Sequence, residues 1–187
     1  HPLGALDGVA LIRFFGHFYS GKIKFLVNDL LMHIKPLAPV FLPINKYGSQ
    51  AKESSLQINN AYESDEQMLI FPAGLCSRLQ HGKIKDLEWK KTFIAKAVQS
   101  QRDIIPIYFE GRNSTFFYRF AQIRKCIGLK FNIELIYLPD EMFNSKNKTF
   151  DIYIGKPIPW QTFDKSKSLQ EWAQIVKEKV YQIKKNQ

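Results

Sequence analysis

Short apolar runs alternate along this chain with segments of helical periodicity, and that alternation limits its possible folds more than any other feature. The runs cover residues 23–27, 40–44, 68–71, 104–109, 131–138 and 150–154. Several are almost continuously apolar, as in strands that are buried on both faces of a sheet. The pattern predicts an α/β fold over residues 1–187: a single domain with a mostly parallel or mixed twisted sheet flanked by helices.

Helical periodicity is clearest in three segments. The first starts near Asp7, a residue type that caps helix N-termini, and its apolar side carries Val9, Ile12, Phe15 and Phe18. The second follows Asp86 and directs Phe93, Ile94, Ala97 and Val98 inward. The third begins at a Ser168–Glu171 capping box, and its apolar stripe is expected in the core rather than on a membrane. The polar segment 139–149 is predicted to be an exposed loop.

Composition excludes several classes of protein. With 45% hydrophobic residues in 187, the chain can build a core, which excludes disorder, and two cysteines exclude a disulfide scaffold. The net charge of +10 is compatible with nucleic acid, an anionic membrane surface or a small acidic protein as partner. No zinc-finger spacing or RNA-binding motif accompanies that charge. Because the chain begins with His1 rather than Met, we expect further residues upstream in the natural protein.

His1 and Asp7 form the first candidate site. A loop histidine shortly before an aspartate at a helix start can place the carboxylate against one ring nitrogen. The carboxylate then fixes the tautomer and leaves the other nitrogen to act as a general base. A structural reading, in which Asp7 serves only as a helix cap, stays open at this point.

Two apolar runs end in turns that carry polar residues. In MLIFPAGLCSR (68–78) the turn presents Gly74, Ser77 and Arg78, whose N–H groups, hydroxyl and guanidinium suit a phosphate or carboxylate. A strand-to-loop turn with a surface arginine is the alternative. The run at 104–111 contains Pro106, which indicates an irregular or edge strand, and is followed by Arg112.

Taken in order, these segments resemble the glycerolipid acyltransferase family, of the lysophosphatidic acid acyltransferase type. Residues 1–7 are similar to its first motif, a His followed by an Asp, and residues 71–78 to its FPEG-(T)-R-S block. Residues 105–111 are similar to its apolar, proline-containing fourth motif, and residues 40–46 lie where its second, acceptor-contacting motif is expected. The resemblance covers about residues 1–160 and rests on the order and spacing of these blocks.

The chain departs from the family pattern at three places. The loop between His1 and Asp7 is one residue longer than usual, the glutamate of the third block is Ala73, and the second block has Lys46 nearby instead of its usual arginine. The pairing of HPxGxxDG with FPAG resembles a bacterial branch, some of whose members acylate lyso-amino-acid lipids. The expected acceptor is therefore lysophosphatidic acid or a lyso-amino-acid lipid.

The resemblance implies an O-acyltransferase of phospholipid biosynthesis or related lipid metabolism. His1 would be the general base and Asp7 its orienting group, with acyl-ACP or acyl-CoA as the acyl donor and no metal or other cofactor. The implied contacts to the acceptor's anionic head are Gly74, Ser77, Arg78, Lys46 and Arg112. We expect a peripheral enzyme at the cytoplasmic face of an anionic membrane, with no nucleic-acid partner. Because His1 is the first residue, the chain as given is expected to have low activity.

Two other classes of function stay open at the level of sequence. A non-catalytic lipid-binding domain of the same fold would fit the Ala73 replacement, whereas His1 and Asp7 argue against it. A basic nucleic-acid-binding domain is the third reading, and its binding would have to weaken steeply with salt.

Overall fold

The computed structural model describes residues 1–27, 32, 34–44, 49–129 and 131–184. The chain forms two compact units, His1–Val9 with Pro72–Gln187, and Ala10–Phe71. Both contain helices and strands, which confirms the α/β class. That residues 1–187 act as one acyltransferase domain stays a prediction.

The smaller unit, Ala10–Phe71, contains a three-stranded parallel sheet. Its central strand β1 (Ile23–Val27) pairs with β2 (Phe41–Pro43) on one side and β3 (Gln67–Leu69) on the other. Alternate β1 residues are buried, as expected for a strand with one face on a core. Helix α2 (Ser49–Glu63) connects β2 to β3, and α1 (Leu6–Phe18) precedes β1. The strands predicted at 23–27, 40–44 and 68–71 are therefore confirmed.

The larger unit contains two antiparallel strand pairs, β4 (Arg78–Gln80) with β5 (Lys83–Lys85) and β6 (Ile107–Phe109) with β7 (Ile152–Ile154). Its further helices are α3 (Thr92–Gln99), α4 (Thr115–Cys126), α5 (Leu138–Phe143) and α6 (Leu169–Ile183). The capping box at the start of α6 is confirmed, and its apolar stripe is buried at Ala173, Val176 and Val180. No helix in the described ranges has both the length and the apolar content needed to cross a bilayer.

The strand predicted at 131–138 is wrong. These residues form a 3-10 helix (Ile133–Tyr137) that leads into α5, which also occupies part of the loop predicted at 139–149. The physical reason is Glu134, whose carboxylate is fully buried between two arginines, while Ile136 is largely exposed. A 3-10 helix, with 3.0 residues per turn, separates these two positions by about 240°, whereas a strand would direct both side chains to one face.

Two smaller differences also have local causes. Strand β6 starts only at Ile107 because Pro106 lacks the N–H that a ladder requires. Helix α1 starts at Leu6, so Asp7 lies inside its first turn instead of at the cap position. On α1, Ile12 and Phe15 are buried as predicted, but Phe18 is mostly exposed.

A cluster of Cys76, Phe117 and Tyr118 joins the inner face of α4 to the segment before β4. All three side chains are almost completely buried, and Leu79, Leu135 and Leu138 are among the partly buried residues packed around them. The cluster fixes the segment that carries Ser77 and Arg78 within the larger unit.

Candidate active site

The imidazole of His1 is hydrogen-bonded to the carboxylate of Asp7. His1 Nδ1 lies 2.9 Å from Asp7 Oδ2, and the side chain of Asp7 is fully buried. The backbone N–H groups of Leu3 and Gly8 also donate to this carboxylate, at 3.0 and 2.9 Å. Since an ionised carboxylate only accepts hydrogen bonds, Nδ1 carries the proton and the neutral ring has its basic lone pair on Nε2.

Burial raises the pKa of Asp7 above its ordinary value, because the charged form is poorly solvated there. The positive His1 amine and the backbone N–H groups of Leu3, Gly4 and Gly8 act in the opposite direction without cancelling the effect of burial. Asp7 therefore lies in an environment that is unfavourable for a negative charge. Groups from its own loop and helix turn offset part of that cost.

The loop from His1 to Asp7 accommodates its extra residue through Gly4. Gly4 has a φ of +82°, and a Cβ at this position would lie 3.0 Å from Cys76 Cβ and 3.1 Å from the methyl groups of Leu138. Only glycine fits both the backbone angle and the space. Next along the loop, the Asn113 amide donates to the Leu3 carbonyl at 3.3 Å. The segment after β6 thus holds the loop in place.

A second buried carboxylate, Asp86, lies on the other side of His1. It accepts from the backbone nitrogen of His1 at 3.1 Å, the Ser77 hydroxyl at 2.5 Å and the Trp89 indole N–H at 3.1 Å. The Ser77 N–H in turn donates to the His1 carbonyl at 3.0 Å. The main chain of His1 is therefore fixed at both its nitrogen and its carbonyl.

The pKa of Asp86 shifts in the opposite sense to that of Asp7. Burial pushes the pKa of Asp86 upward, but the positive terminal amine that His1 has in this 187-residue chain and the hydrogen bonds from Ser77 and Trp89 outweigh it and hold the pKa below its usual range. The Asp86 N–H donates to the Tyr181 hydroxyl at 3.1 Å, which ties α6 to this position. Burial, followed by the nearby Asp86 charge, raises the pKa of Tyr181 to about 12.

Arg78 belongs to a buried group of three charges. Its Nη2 lies 2.8 Å from Glu134 Oε1, and Arg124 Nε lies 2.8 Å from Glu134 Oε2. Arg78 Nη1 also donates to the Cys76 carbonyl at 3.0 Å, and the guanidinium lies 5.6 Å from the centre of the Phe117 ring. Two arginines and one glutamate leave one net positive charge. Burial raises the pKa of the neighbouring Cys76 thiol, which makes that cysteine a poor nucleophile.

The remaining predicted residues occupy different positions. Gly74 is exposed with a φ of +69°, and a Cβ there would lie 3.2 Å from Lys90 Nζ, so Lys90 adds a cation beside this turn. Arg112 is exposed and directly follows Gly111, which packs against Leu3. Lys46 lies outside the described residues. The structure thus joins His1, Asp7 and Ser77 in one hydrogen-bond network, while Gly74 and Arg112 are surface positions of the same unit.

Sequence reasoning missed four residues of this site: Asp86, Asn113, Arg124 and Glu134. From the sequence, Asp86 was interpreted only as the residue before a helix. No neighbouring residue indicates that it also contacts His1. Glu134 did have a signal, since an acidic residue inside an apolar run requires a buried partner or a different secondary structure.

Comparison with known proteins supports the family assignment. The profile of the family described as Acyltransferase matches residues 1–187. A lyso-glycine lipid O-acyltransferase of Bacteroides thetaiotaomicron is 57% identical over 183 residues, which is 98% of this chain and 67% of that protein. A lyso-glycine lipid O-acyltransferase of Phocaeicola vulgatus is 55% identical over 98% of this chain and 66% of its own length. No solved structure matches.

The chain belongs to the acyltransferase family, and the resemblance to lysophospholipid-type acyltransferases is confirmed. The prediction of an O-acyltransferase is confirmed at the level of the family, since both relatives carry that activity in their names. The chain spans about two thirds of the length of these relatives. These matches do not fix the acyl donor, the acceptor or the roles of the site residues, which belong to the proposed function.

Proposed function

We propose that the protein transfers a fatty acyl group from acyl-ACP or acyl-CoA to the hydroxyl of a lyso-glycine lipid. The observation that carries this proposal is the buried hydrogen bond between His1 Nδ1 and Asp7 Oδ2 in a member of the acyltransferase family. The acceptor class is taken from the two relatives, both of which are lyso-glycine lipid O-acyltransferases.

His1 acts as the general base. Its Nε2 takes the proton of the acceptor hydroxyl while the oxygen attacks the carbonyl carbon of the thioester. When the tetrahedral intermediate collapses, the C–S bond breaks, the ester forms, and the imidazolium returns its proton to the departing sulfur. Asp7 holds the Nδ1 proton and stabilises the imidazolium between these two transfers. Because the thioester is already activated, the step needs no covalent acyl-enzyme.

Arg78 is the candidate for the acceptor's head group. A glycine attached to a lipid through its nitrogen carries a free carboxylate, and a guanidinium is well suited to bind one. The net positive charge that Arg78 shares with Arg124 and Glu134 supports this role. Ser77 contributes indirectly, since its hydroxyl donates to Asp86. Gly74, Lys46 and Arg112 stay as further predicted contacts.

The test is thioester release by the full-length protein, with acyl-ACP and acyl-CoA as alternative donors. The acceptor panel contains lyso-glycine lipid, another lyso-amino-acid lipid and lysophosphatidic acid, and the His1→Ala variant measures the background. We expect acceptor-dependent release that is fastest with lyso-glycine lipid. Release only with lysophosphatidic acid would move the assignment to phospholipid synthesis, and no release with any acceptor would favour a non-catalytic lipid-binding domain.

Localisation follows from the same proposal. An enzyme whose acceptor is a lipid and whose net charge is +10 is expected at an anionic membrane surface, as a peripheral protein of the cytoplasmic face.

The same net charge would also favour binding to nucleic acid. A gel-shift experiment with mixed DNA and RNA is expected to show no binding at physiological salt.

A further inference from the structure

Helix α4 is apolar on two separate faces. Its inner face carries Phe117, Tyr118 and Ala121, which are buried in the larger unit. A second apolar stripe carries Phe116, Phe120, Ile123 and Ile127, which follow one another at helical spacing. Phe116, Ile123 and Ile127 are each more than half exposed, and Phe120 stacks on Phe116. Both rings also contact the Tyr137 ring edge to face, with centroids 5.2 and 5.4 Å apart. This second stripe, here called the outer face of α4, is thus in contact with Tyr137 at one end and open to solvent at Ile123 and Ile127.

Further exposed apolar side chains follow the helix in sequence. Phe131 is 81% exposed, and Ile136 and Phe143 are also mostly exposed. Soluble monomers seldom concentrate so many large exposed apolar side chains in one short segment, and such patches usually mark an interaction surface. The position of this patch on one helix and the turns that follow it suits a flat, apolar partner.

In sequence, the charges of α4 and of the turn that follows it are basic, and acidic residues come only at Glu134 and in α5, where Glu141 accepts from the backbone N–H of Ser114 at the start of α4. Between residues 111 and 133 the sequence has no Asp or Glu, and its basic residues are Arg112, Arg119, Arg124, Lys125 and Lys130. The next acidic residue, Glu134, is buried and already paired with Arg78 and Arg124. Arg119 and Lys125 are exposed. Apolar side chains flanked mainly by cations are typical of helices that lie in the interface of an anionic bilayer.

We propose that the outer face of α4 docks the protein on an anionic membrane, with its apolar side chains in the interface and Arg119, which borders this face, near the lipid phosphates. This inference rests on the proposed function, because only a lipid acceptor requires the enzyme to work at a bilayer. The inner face of the same helix packs on Cys76, and Arg78 lies 5.6 Å from the centre of the Phe117 ring. The docked helix would therefore support the segment that carries the candidate head-group arginine.

The first experiment measures sedimentation of the full-length protein with vesicles of phosphatidylcholine, with and without phosphatidylglycerol. Ile123→Ser combined with Ile127→Ser is expected to weaken binding to the anionic vesicles by at least about tenfold, since apolar insertion is lost. The matched control is Leu56→Ser on α2, which is 60% exposed against 59% for Ile123. We expect the control to bind like wild type, and equal binding of all three proteins would overturn the proposal.

The charge contribution is tested separately. Arg119→Gln is expected to weaken binding to anionic vesicles about fivefold, and to have little effect on phosphatidylcholine vesicles, whereas Lys125→Gln, on the opposite side of α4, is expected to have little effect on either. The exposed Lys179 on α6 gives the control variant Lys179→Gln. An equal loss in Lys179→Gln would show that net charge, and not this face, governs binding, and would overturn the assignment of the surface.

Activity separates this proposal from the proposed function. The Ile123→Ser/Ile127→Ser variant is expected to lose turnover of vesicle-embedded lyso-glycine lipid but to keep it on acceptor dispersed in detergent, whereas His1→Ala loses both. A polarity-sensitive dye on Ile127→Cys of the full-length protein, in which the exposed Cys126 is replaced by Ser, should shift to the blue only when vesicles are added. A dye that is already shielded without vesicles would show that another part of the protein, or a second copy, covers this face.

Discussion

Asp7 and Asp86 are two buried carboxylates that both hold His1, yet their environments have opposite effects on ionisation. Asp7 accepts from the ring, and burial raises its pKa, whereas Asp86 accepts from the main chain, Ser77 and Trp89, and its pKa is lowered. In the 187-residue chain, where His1 carries a free charged amine, the carboxylate that stabilises the fold is thus Asp86, which holds the loop. The carboxylate that contacts the ring costs stability, which is the pattern expected where a charge is kept for chemistry.

The largest effect is expected for Asp7→Asn. The Nδ1–H group of His1 now donates to a carboxylate oxygen, whereas the Asn amide can present an N–H group at this position. The ring would then no longer be held in the tautomer with a basic Nε2. We expect kcat of the full-length enzyme to fall by about 10²–10⁴ while the acceptor KM changes little. Asp151→Asn, at an exposed position, is the control and should keep wild-type kcat. A fall of less than about threefold in Asp7→Asn would contradict the assigned role.

Asp86→Asn should have an intermediate effect on activity. Its amide can accept from only part of the set formed by Ser77, Trp89 and the His1 nitrogen, so the loop that carries the base shifts. We expect kcat to fall about tenfold through misplacement of His1, and the free energy of unfolding to fall by about 1–3 kcal/mol. Unchanged kcat with reduced stability would leave Asp86 a purely structural residue.

A smaller difference separates Ser77→Ala from Tyr181→Phe. Both remove a hydroxyl that contacts Asp86, but only the Ser77 hydroxyl also donates to the His1 carbonyl, at 3.4 Å. Each is expected to lower the free energy of unfolding by about 1 kcal/mol. Ser77→Ala should also lower kcat by about twofold to fivefold, and Tyr181→Phe should not. Equal kinetic effects would show that the two contacts do not differ in function.

The two carboxylates should also give opposite pH dependences of stability in the 187-residue chain. The folded pKa of Asp7 lies above the unfolded value of about 3.8, so its cost is absent below that value and appears as the pH rises through the folded pKa. The folded pKa of Asp86 lies below 3.8, so its contribution is complete above that value and is lost as the pH falls. Denaturant titrations at several pH values should show the stability of Asp7→Asn rising relative to wild type as pH increases, while the deficit of Asp86→Asn shrinks in acid. Parallel pH curves for both variants would remove the distinction.

The parts of this site that are local in sequence were predictable, and the long-range parts were not. His1 and Asp7 lie within one loop and one helix turn, so their spacing carried the information. Asp86 contacts His1 across 85 residues, and only the folded larger unit brings them together. Similarly, the Asn113 amide reaches Leu3 across 110 residues. Short motifs therefore identified the His1–Asp7 pair but not the groups that fix it.

The fold shows the same division. The near-continuous apolar run at β1 was assigned correctly, because alternate burial and a parallel partner on each side suit such a sequence. The run at 131–138 has a similar composition but forms helical turns around the buried Glu134. Apolar content alone does not distinguish a short buried strand from a helical segment. The ion pairs with Arg78 and Arg124 decided the outcome here.

The most direct test of the central claim is a double-mutant cycle on thioester release by the full-length enzyme with lyso-glycine lipid as acceptor. If Asp7 acts through His1, then His1→Ala removes the general base, and adding Asp7→Asn changes the remaining rate by less than about twofold. The account would be contradicted if the rate of the double variant fell by the product of the two single effects, or if His1→Ala left the rate unchanged.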